Sequence, residues 1–166
     1  MKSHLLFCLF LSIFTAKLIF ADKKNSSNFE FKIVFGLCGK QTHPLPIFDE
    51  VIKQDPNIFI FLGDNIYGDT NDMDILRKKY QELGTKESYQ HLIQNTEVLA
   101  TWDDHDYGQN DAGKHYPHKE ESKEIFLEFF KEPKNSERYT HKGIYHSVYK
   151  TAGNKIIQII LLDNRT

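Results

Sequence analysis

The chain has 166 residues, 40% hydrophobic and 27% charged, which suits one globular domain with a real core and excludes a disordered or fibrous chain. Its 21 basic and 23 acidic residues give a formal net charge of −2 and form no basic stripe, which argues against a nucleic-acid partner. With only two cysteines, Cys8 and Cys38, a disulfide framework is excluded.

In chain order, Lys2, the apolar stretch "LLFCLFLSIF" and Ala21 before the polar "DKKNSS" read as a secretory signal over residues 1–21, cleaved after Ala21. The stretch is too short and too abruptly ended to favour a membrane span, and a retained N-terminal anchor is the alternative. Cleavage removes Lys2 and Lys17 from the 21 basic residues and none of the 23 acidic ones, which takes the net charge from −2 to −4. It also removes Cys8, so the exported domain, residues 22–166, keeps Cys38 as its one thiol: buried and inert, reactive, or bound to metal. The expected location is extracytoplasmic, secreted or periplasmic. Asn25 and Asn164 each stand in an Asn-x-Ser/Thr context.

"NFEFKIVFGLCG" alternates Phe29, Phe31, Ile33 and Phe35 with other residues and breaks at Gly36 and Gly39, the pattern of a strand entering a tight loop that carries Cys38. "PIFDEVIKQ" places Ile47, Phe48, Val51 and Ile52 at helical spacing, and Asp55-Pro56-Asn57 ends that helix. "IFIFL" is a continuous apolar run, the mark of a strand buried on both faces, and it delivers "GDNIYGD". Further on, the pattern predicts helices over Asp72–Leu83, Ser88–Gln94 and Lys119–Phe130, and strands at Val98–Thr101, "GIYHSVY" and "KIIQIILLD". This order predicts an α/β domain with parallel or mixed central pairing.

In open α/β sheets, ligands bind outside the carboxyl ends of the strands, so Cys38, Asp64, Tyr67, Asp104 and His105 are expected to converge. The stretch "WDDHDYG" crowds Asp103, Asp104 and Asp106 around His105, and such like charges oppose one another's ionisation unless a cation shares them. Carboxylate, phenolate, thiolate and imidazole are all metal ligands. Taken singly, each motif has a plainer reading: "GD" as a turn, Tyr67 as a packing aromatic, "DDHD" as a solvated loop or a helix N-cap cluster. Their joint placement at successive strand ends favours a metal. Other motifs fail: "GLCGKQT" has its glycines too close and Gln41 where a P-loop needs Ser or Thr, and no GxGxxG or GxSxG occurs.

"FIFLGDNIYGDT", "ATWDDHDYGQNDAG" and "ILLDNRT", in this order, resemble the alkaline phosphatase D (PhoD-like) family of metallophosphatases from about Phe31 onward. The resemblance implies a metallophosphatase-like β-sandwich flanked by helices, export, and a metal-dependent phosphomonoesterase or phosphodiesterase acting on a small or polymeric phosphate ester. It implies two or more metal ions, ferric iron with calcium or another divalent set. By motif, Asp64 matches the metal-bridging carboxylate, Tyr67 and Cys38 the iron ligands, Asp104 a ligand of the second metal and His105 the group assisting the leaving oxygen.

The chemistry agrees: two metals about 3.5–4 Å apart supply a nucleophile and stabilise phosphoryl charge. His105, protonated against Asp103 or Asp106, would donate to the leaving group; Asn65 is a supporting or phosphate-contacting amide. Asp163 and Arg165 read as a structural pair supporting a loop. His91, His115, His118, His141 and His146 read as surface or loop residues. Enzymes of this family continue past "LLDNRT" with further ligands, so the chain reads as the N-terminal part of such a domain, with no turnover expected from it alone. A secreted metal-binding or interaction module without catalysis is the alternative.

Overall fold

Four consecutive apolar residues, Ile58–Phe61, form strand β2, and all four are buried because β2 is the middle strand of a three-stranded sheet. The structure, a computed structural model, describes residues 30–166. The signal segment, Cys8, Asn25 and Phe29 lie outside the described residues. Strand β1 (Ile33–Gly36) and strand β3 (Glu97–Ala100) flank β2, both parallel to it, with Ile33 opposite Ile58 and Ile58 opposite Glu97. The connections carry helix α1 (Ile47–Lys53) between the first two strands, and α2 (Met73–Gly84) and α3 (Glu87–Asn95) between the second and third. Beyond β3 come a one-turn helix, α4 (Asp104–Tyr107), helix α5 (Lys119–Phe129), and a hairpin of β4 (His146–Ala152) and β5 (Lys155–Leu161).

Side-chain alternation along β2 separates two cores. Phe59 and Phe61 enter the helical side, where Phe48 of α1 meets them edge to face at ring separations of 5.9 and 5.7 Å. Leu76, Tyr80 and Leu83 of α2 and Ile125, Phe126 and Leu127 of α5 complete that layer. On the opposite face Ile58 and Ile60 pack against Ile159 and Leu161 of β5. Helices, parallel sheet and hairpin therefore form three layers: the expected mixed α/β arrangement of packed sheets and helices, with the helices packed on the face of the parallel sheet opposite the hairpin. Thr101 Oγ1 donates to the Leu162 carbonyl at 2.7 Å and ties the two sheets together.

One expected core position is outside. Phe35 continues the apolar alternation of β1 but is 65% exposed: β1 is an edge strand, and the cluster beneath the hairpin takes in Phe31 and Ile33 without it. The outer face of the hairpin also exposes Tyr149, Ile156 and Ile160, with Leu162 just beyond the end of β5. No helix among the described residues is long and apolar enough to cross a membrane.

What fixes the strand ends relative to one another is a buried carboxylate. Asp106 of α4 is fully buried and accepts from the backbone N–H groups of Asn65 (3.0 Å), Ile66 (3.3 Å) and Asp103 (3.1 Å) and from the Tyr80 hydroxyl (3.1 Å). It closes a capping box on α4 and binds the loop after β2 to the loop after β3 and to helix α2. Burial pushes this carboxyl up to about 7 against the pull of its four donors.

Replacing Asp106 with Ala strands three buried N–H groups and a phenol, so Asp106→Ala is expected to cost at least about 3 kcal/mol in urea denaturation. Because the folded chain holds this proton more tightly than the unfolded one, its contribution to stability is full below about pH 4, the range of a free aspartate. That contribution is lost as pH rises through about 7. Asp106→Asn should abolish this slope, and a wild-type stability unchanged over the same window would contradict the assignment. Asp72, by contrast, caps α2 by accepting from Asp74 N and Ile75 N, and Asp72→Ala should cost only about 1 kcal/mol.

Candidate metal centre

Three parallel strands place their C-terminal loops on one side of the sheet, and the loops are fastened together beyond the strands. Leu62 N donates to the Gly36 carbonyl at 2.9 Å, Cys38 N to Gly63 O at 3.2 Å, Gly39 N to Asp64 O at 2.9 Å and Gly68 N to His105 O at 2.9 Å. The approach is so close that two glycines are obligatory. A Cβ on Gly63, whose φ is 116°, would lie 2.7 Å from Asp103 Cβ, and one on Gly68 would lie 2.5 Å from the His105 carbonyl oxygen. Strain collects here too. Cys38, Asp64, Asp69 and Asp111 all adopt left-handed backbone angles (φ 60, 50, 46 and 60°), a conformation costing about 1–2 kcal/mol per residue and least resisted by Asp.

Asp64, Asp104 and His105 each offer a ligand atom, and these atoms lie within 4.8 Å of one another; they are the one such cluster among the described residues. The Cys38 thiol, exposed rather than buried, donates to Asp64 Oδ2 at 3.4 Å. The Tyr67 and His105 rings pack together, tilted by 36° with 4.2 Å between centroids. The five residues expected to converge are thus gathered on one rim. Gln41 secures Tyr67: this fully buried amide accepts from Tyr67 N at 2.8 Å and donates to Tyr67 O at 3.4 Å.

Charge in the cluster is incompletely balanced. Burial, then the neighbouring Asp103 and Asp104, raise the Asp64 carboxyl even though Cys38 and His105 oppose the rise. Burial and the contact with Asp64 raise the Cys38 thiol; burial and Cys38 push Tyr67 up to about 12. Asp64 Oδ1 is buried with no hydrogen-bond partner among the described residues. An orphaned carboxylate oxygen among oxygen, sulfur and nitrogen donors that hold each other's protons on is the environment a multivalent cation relieves, so the residues fit a metal ion.

Other positions differ from expectation. His105 pairs with neither Asp103 nor Asp106: its Nδ1 meets Asp69 Oδ1 at 2.5 Å. Burial disfavours the imidazolium, but Asp69 outweighs it and raises the His105 pKa. Asp106 is consumed by the frame described above. Asp103 caps α4, accepting from Asp104 N at 3.0 Å. Asn65 is 2% exposed and donates to the Thr101 carbonyl at 2.9 Å, a bond that ties the loop after β2 to the end of β3.

Asp163 and Arg165 do not form a side-chain pair. Asp163 accepts the Arg165 and Thr166 backbone N–H groups at 2.8 and 3.0 Å, while the Arg165 guanidinium reaches Asp103 and lies 3.2 Å from Asp104 Oδ1. Burial raises Asp104, but the Asp111 N–H at 2.7 Å and Arg165 reverse the sign and bring it below the ordinary carboxylate range.

Asp69, Gln41 and Arg165 are residues of this rim that sequence reasoning did not place there. The only local signal for Asp69 is the second "GD" of "GDNIYGD". The other histidines behave as expected of surface and loop residues in part. His91 lies exposed on α3, and His141 stacks on Tyr145 at 4.1 Å, but His146 opens β4 and is half-buried.

No protein-family model matches the chain, and no curated protein does. Among solved structures, one titled "Structure of PhoD" matches with a TM-score of 0.62 at 17% sequence identity, over 80% of this chain and 31% of that one. The fold is accordingly PhoD-like over four fifths of this chain, which spans about a third of the length of the structure it resembles.

Proposed function

We propose that the chain carries the metal site of an extracytoplasmic, metal-dependent phosphoesterase. The observation that carries this reading is the meeting of Asp64, Asp104 and His105 within 4.8 Å at the ends of parallel strands, with Cys38 and Tyr67 beside them. The PhoD-like fold supports the phosphoester class, and the motif resemblance supports ferric iron with calcium as the metals. Asp64 and Asp104 would hold the ions, with Cys38 and Tyr67 as the soft and phenolic donors to iron. When bound, such ions supply an activated water and neutralise charge on phosphoryl oxygens.

The chain's own residues account for proton delivery. Asp69 orients the His105 ring through Nδ1 and favours its protonated form, Tyr67 packs against the ring, and the imidazolium would protonate the leaving oxygen. The Gly68 N–H on the His105 carbonyl fixes that residue's backbone to the loop bearing Asp69. A metal-binding module without turnover is the second reading, favoured by one observation: the described residues gather a single three-residue ligand cluster, where two-metal hydrolysis needs two ions held side by side.

Metal analysis of the purified chain, with hydrolysis of bis(p-nitrophenyl) phosphate, separates the two readings. Metal uptake with hydrolysis supports the enzyme and overturns the expectation of no turnover from the chain alone; uptake without hydrolysis supports the module, and neither reading survives if no metal binds. Asp64→Ala and Asp104→Ala should each abolish metal binding, whereas Asp72→Ala should retain full stoichiometry. Asp69→Asn should retain metal yet lower kcat on the order of 100-fold. Since His105 must be protonated and loses its stabilising carboxylate in this variant, the alkaline limb of the pH–rate profile should move to lower pH. Ferric iron on a phenolate absorbs visible light and zinc does not, so the loaded protein should be coloured and Tyr67→Phe should shift or bleach the band.

A further inference from the structure

The rim of the proposed centre is acidic, yet its substrate would be an anion. Asp64, Asp69, Asp103 and Asp104 crowd it, and few cations face them. Lys79 spends its ammonium on the carbonyls of Tyr67 and Gly68, at 3.1 and 2.6 Å. Lys40 hangs over the Tyr67 ring, 5.6 Å from its centre, from an exposed position. Arg165 differs from both because it is held at two ends.

Its backbone is fastened by Asp163, which accepts the Arg165 N–H at 2.8 Å and also receives Ile144 N at 2.8 Å and Thr166 N at 3.0 Å. Asp163 is itself pressed against Gly143, where an added Cβ would lie 2.4 Å from Asp163 Oδ2. At the other end, Nε and Nη2 are engaged by Asp103 Oδ1, and Nη2 also lies 3.2 Å from Asp104 Oδ1. Nη1 makes no hydrogen bond among the described residues, although the side chain is only 23% exposed. Asp104 is at once the Arg165 partner and a member of the 4.8 Å ligand cluster. One edge of the guanidinium is therefore locked next to Asp104, a member of the ligand cluster, and the remaining nitrogen, Nη1, is uncommitted.

From this arrangement we infer that Arg165 is the phosphate-binding residue of the site, its Nη1 donating to a non-bridging oxygen of a phosphoryl group held at the Asp64–Asp104–His105 cluster. The inference rests on the phosphoesterase reading and specifies how an anion is received there. A guanidinium whose orientation is set by two carboxylates loses little entropy on binding, and its planar fork matches phosphate better than an ammonium does. Had neutralising Asp103 and Asp104 been its whole task, a lysine ammonium would serve as well.

The test uses the whole chain loaded with metal and inorganic phosphate as the probe, measured by calorimetry and as a competitive inhibitor of bis(p-nitrophenyl) phosphate hydrolysis. Arg165→Gln and Arg165→Lys are compared with wild type, and metal content and thermal midpoint are recorded on the same samples. The expected result is phosphate affinity weakened at least about 10-fold in Arg165→Gln and partly recovered in Arg165→Lys, with metal stoichiometry unchanged in both. Wild-type phosphate affinity in both variants overturns the assignment. So does full recovery by Arg165→Lys after Arg165→Gln has lost metal or fold, which reduces Arg165 to a counter-charge. A wild-type chain that takes up metal yet neither binds phosphate nor hydrolyses the ester brings down the phosphoesterase reading and this inference with it. A wild type that does both while its variants are unaltered brings down the inference alone.

Discussion

The buried carboxylate of Asp106 is the constraint on which the site's geometry depends. A fully buried acid is costly, and here four donors from three separate segments offset that cost at once. Two of them, Asn65 N and Ile66 N, follow Asp64 directly, and the third, Asp103 N, precedes Asp104. The position of Asp64 relative to Asp104 is thus set by a group that lies outside their cluster. Tyr80 carries the same constraint into helix α2, so the packing of the helical layer and the spacing of the rim are joined through one side chain.

Around this frame the chain accumulates more negative charge than it neutralises. The acids, the thiol and the phenol are gathered by backbone bonds between loops and by left-handed residues that resist their own conformation. Arg165 supplies part of the missing positive charge from the hairpin layer, and it does so on Asp103 and Asp104 rather than on Asp64. Asp64 keeps an oxygen with no partner among the described residues, so this carboxylate is the least compensated member of the cluster.

Much of this was legible in the residues. The unbroken apolar run at Ile58–Phe61 identified a strand buried on both faces, and the glycines and acids that follow each strand marked where the loops meet. Helical spacing gave α1, α2, α3 and α5 to within a residue or two at their ends. What could not be read was pairing across distance. Whether His105 takes its proton partner from the adjacent Asp103 and Asp106 or from Asp69, 36 residues away, depends on the loops' relative heights, which periodicity does not encode. Gln41 looked like a failed P-loop residue and is instead a clamp on the Tyr67 backbone. The exposure of Phe35 was hidden for a similar reason: alternation says which face a residue takes, not whether that face is covered.

The parallel sheet also governs the order in which the centre can come into being. β4 and β5 are joined by a short turn and can pair within microseconds, but β1, β2 and β3 pair only after long intervening segments have been closed, a slow step in chains rich in non-local contacts. Cys38 and Arg165 stand near opposite ends of the described chain, so the rim exists only when nearly all of it has folded. A nascent or partly unfolded chain therefore has scattered carboxylates and no assembled rim, and the proposed capture of an ion would be tied to completion of the fold.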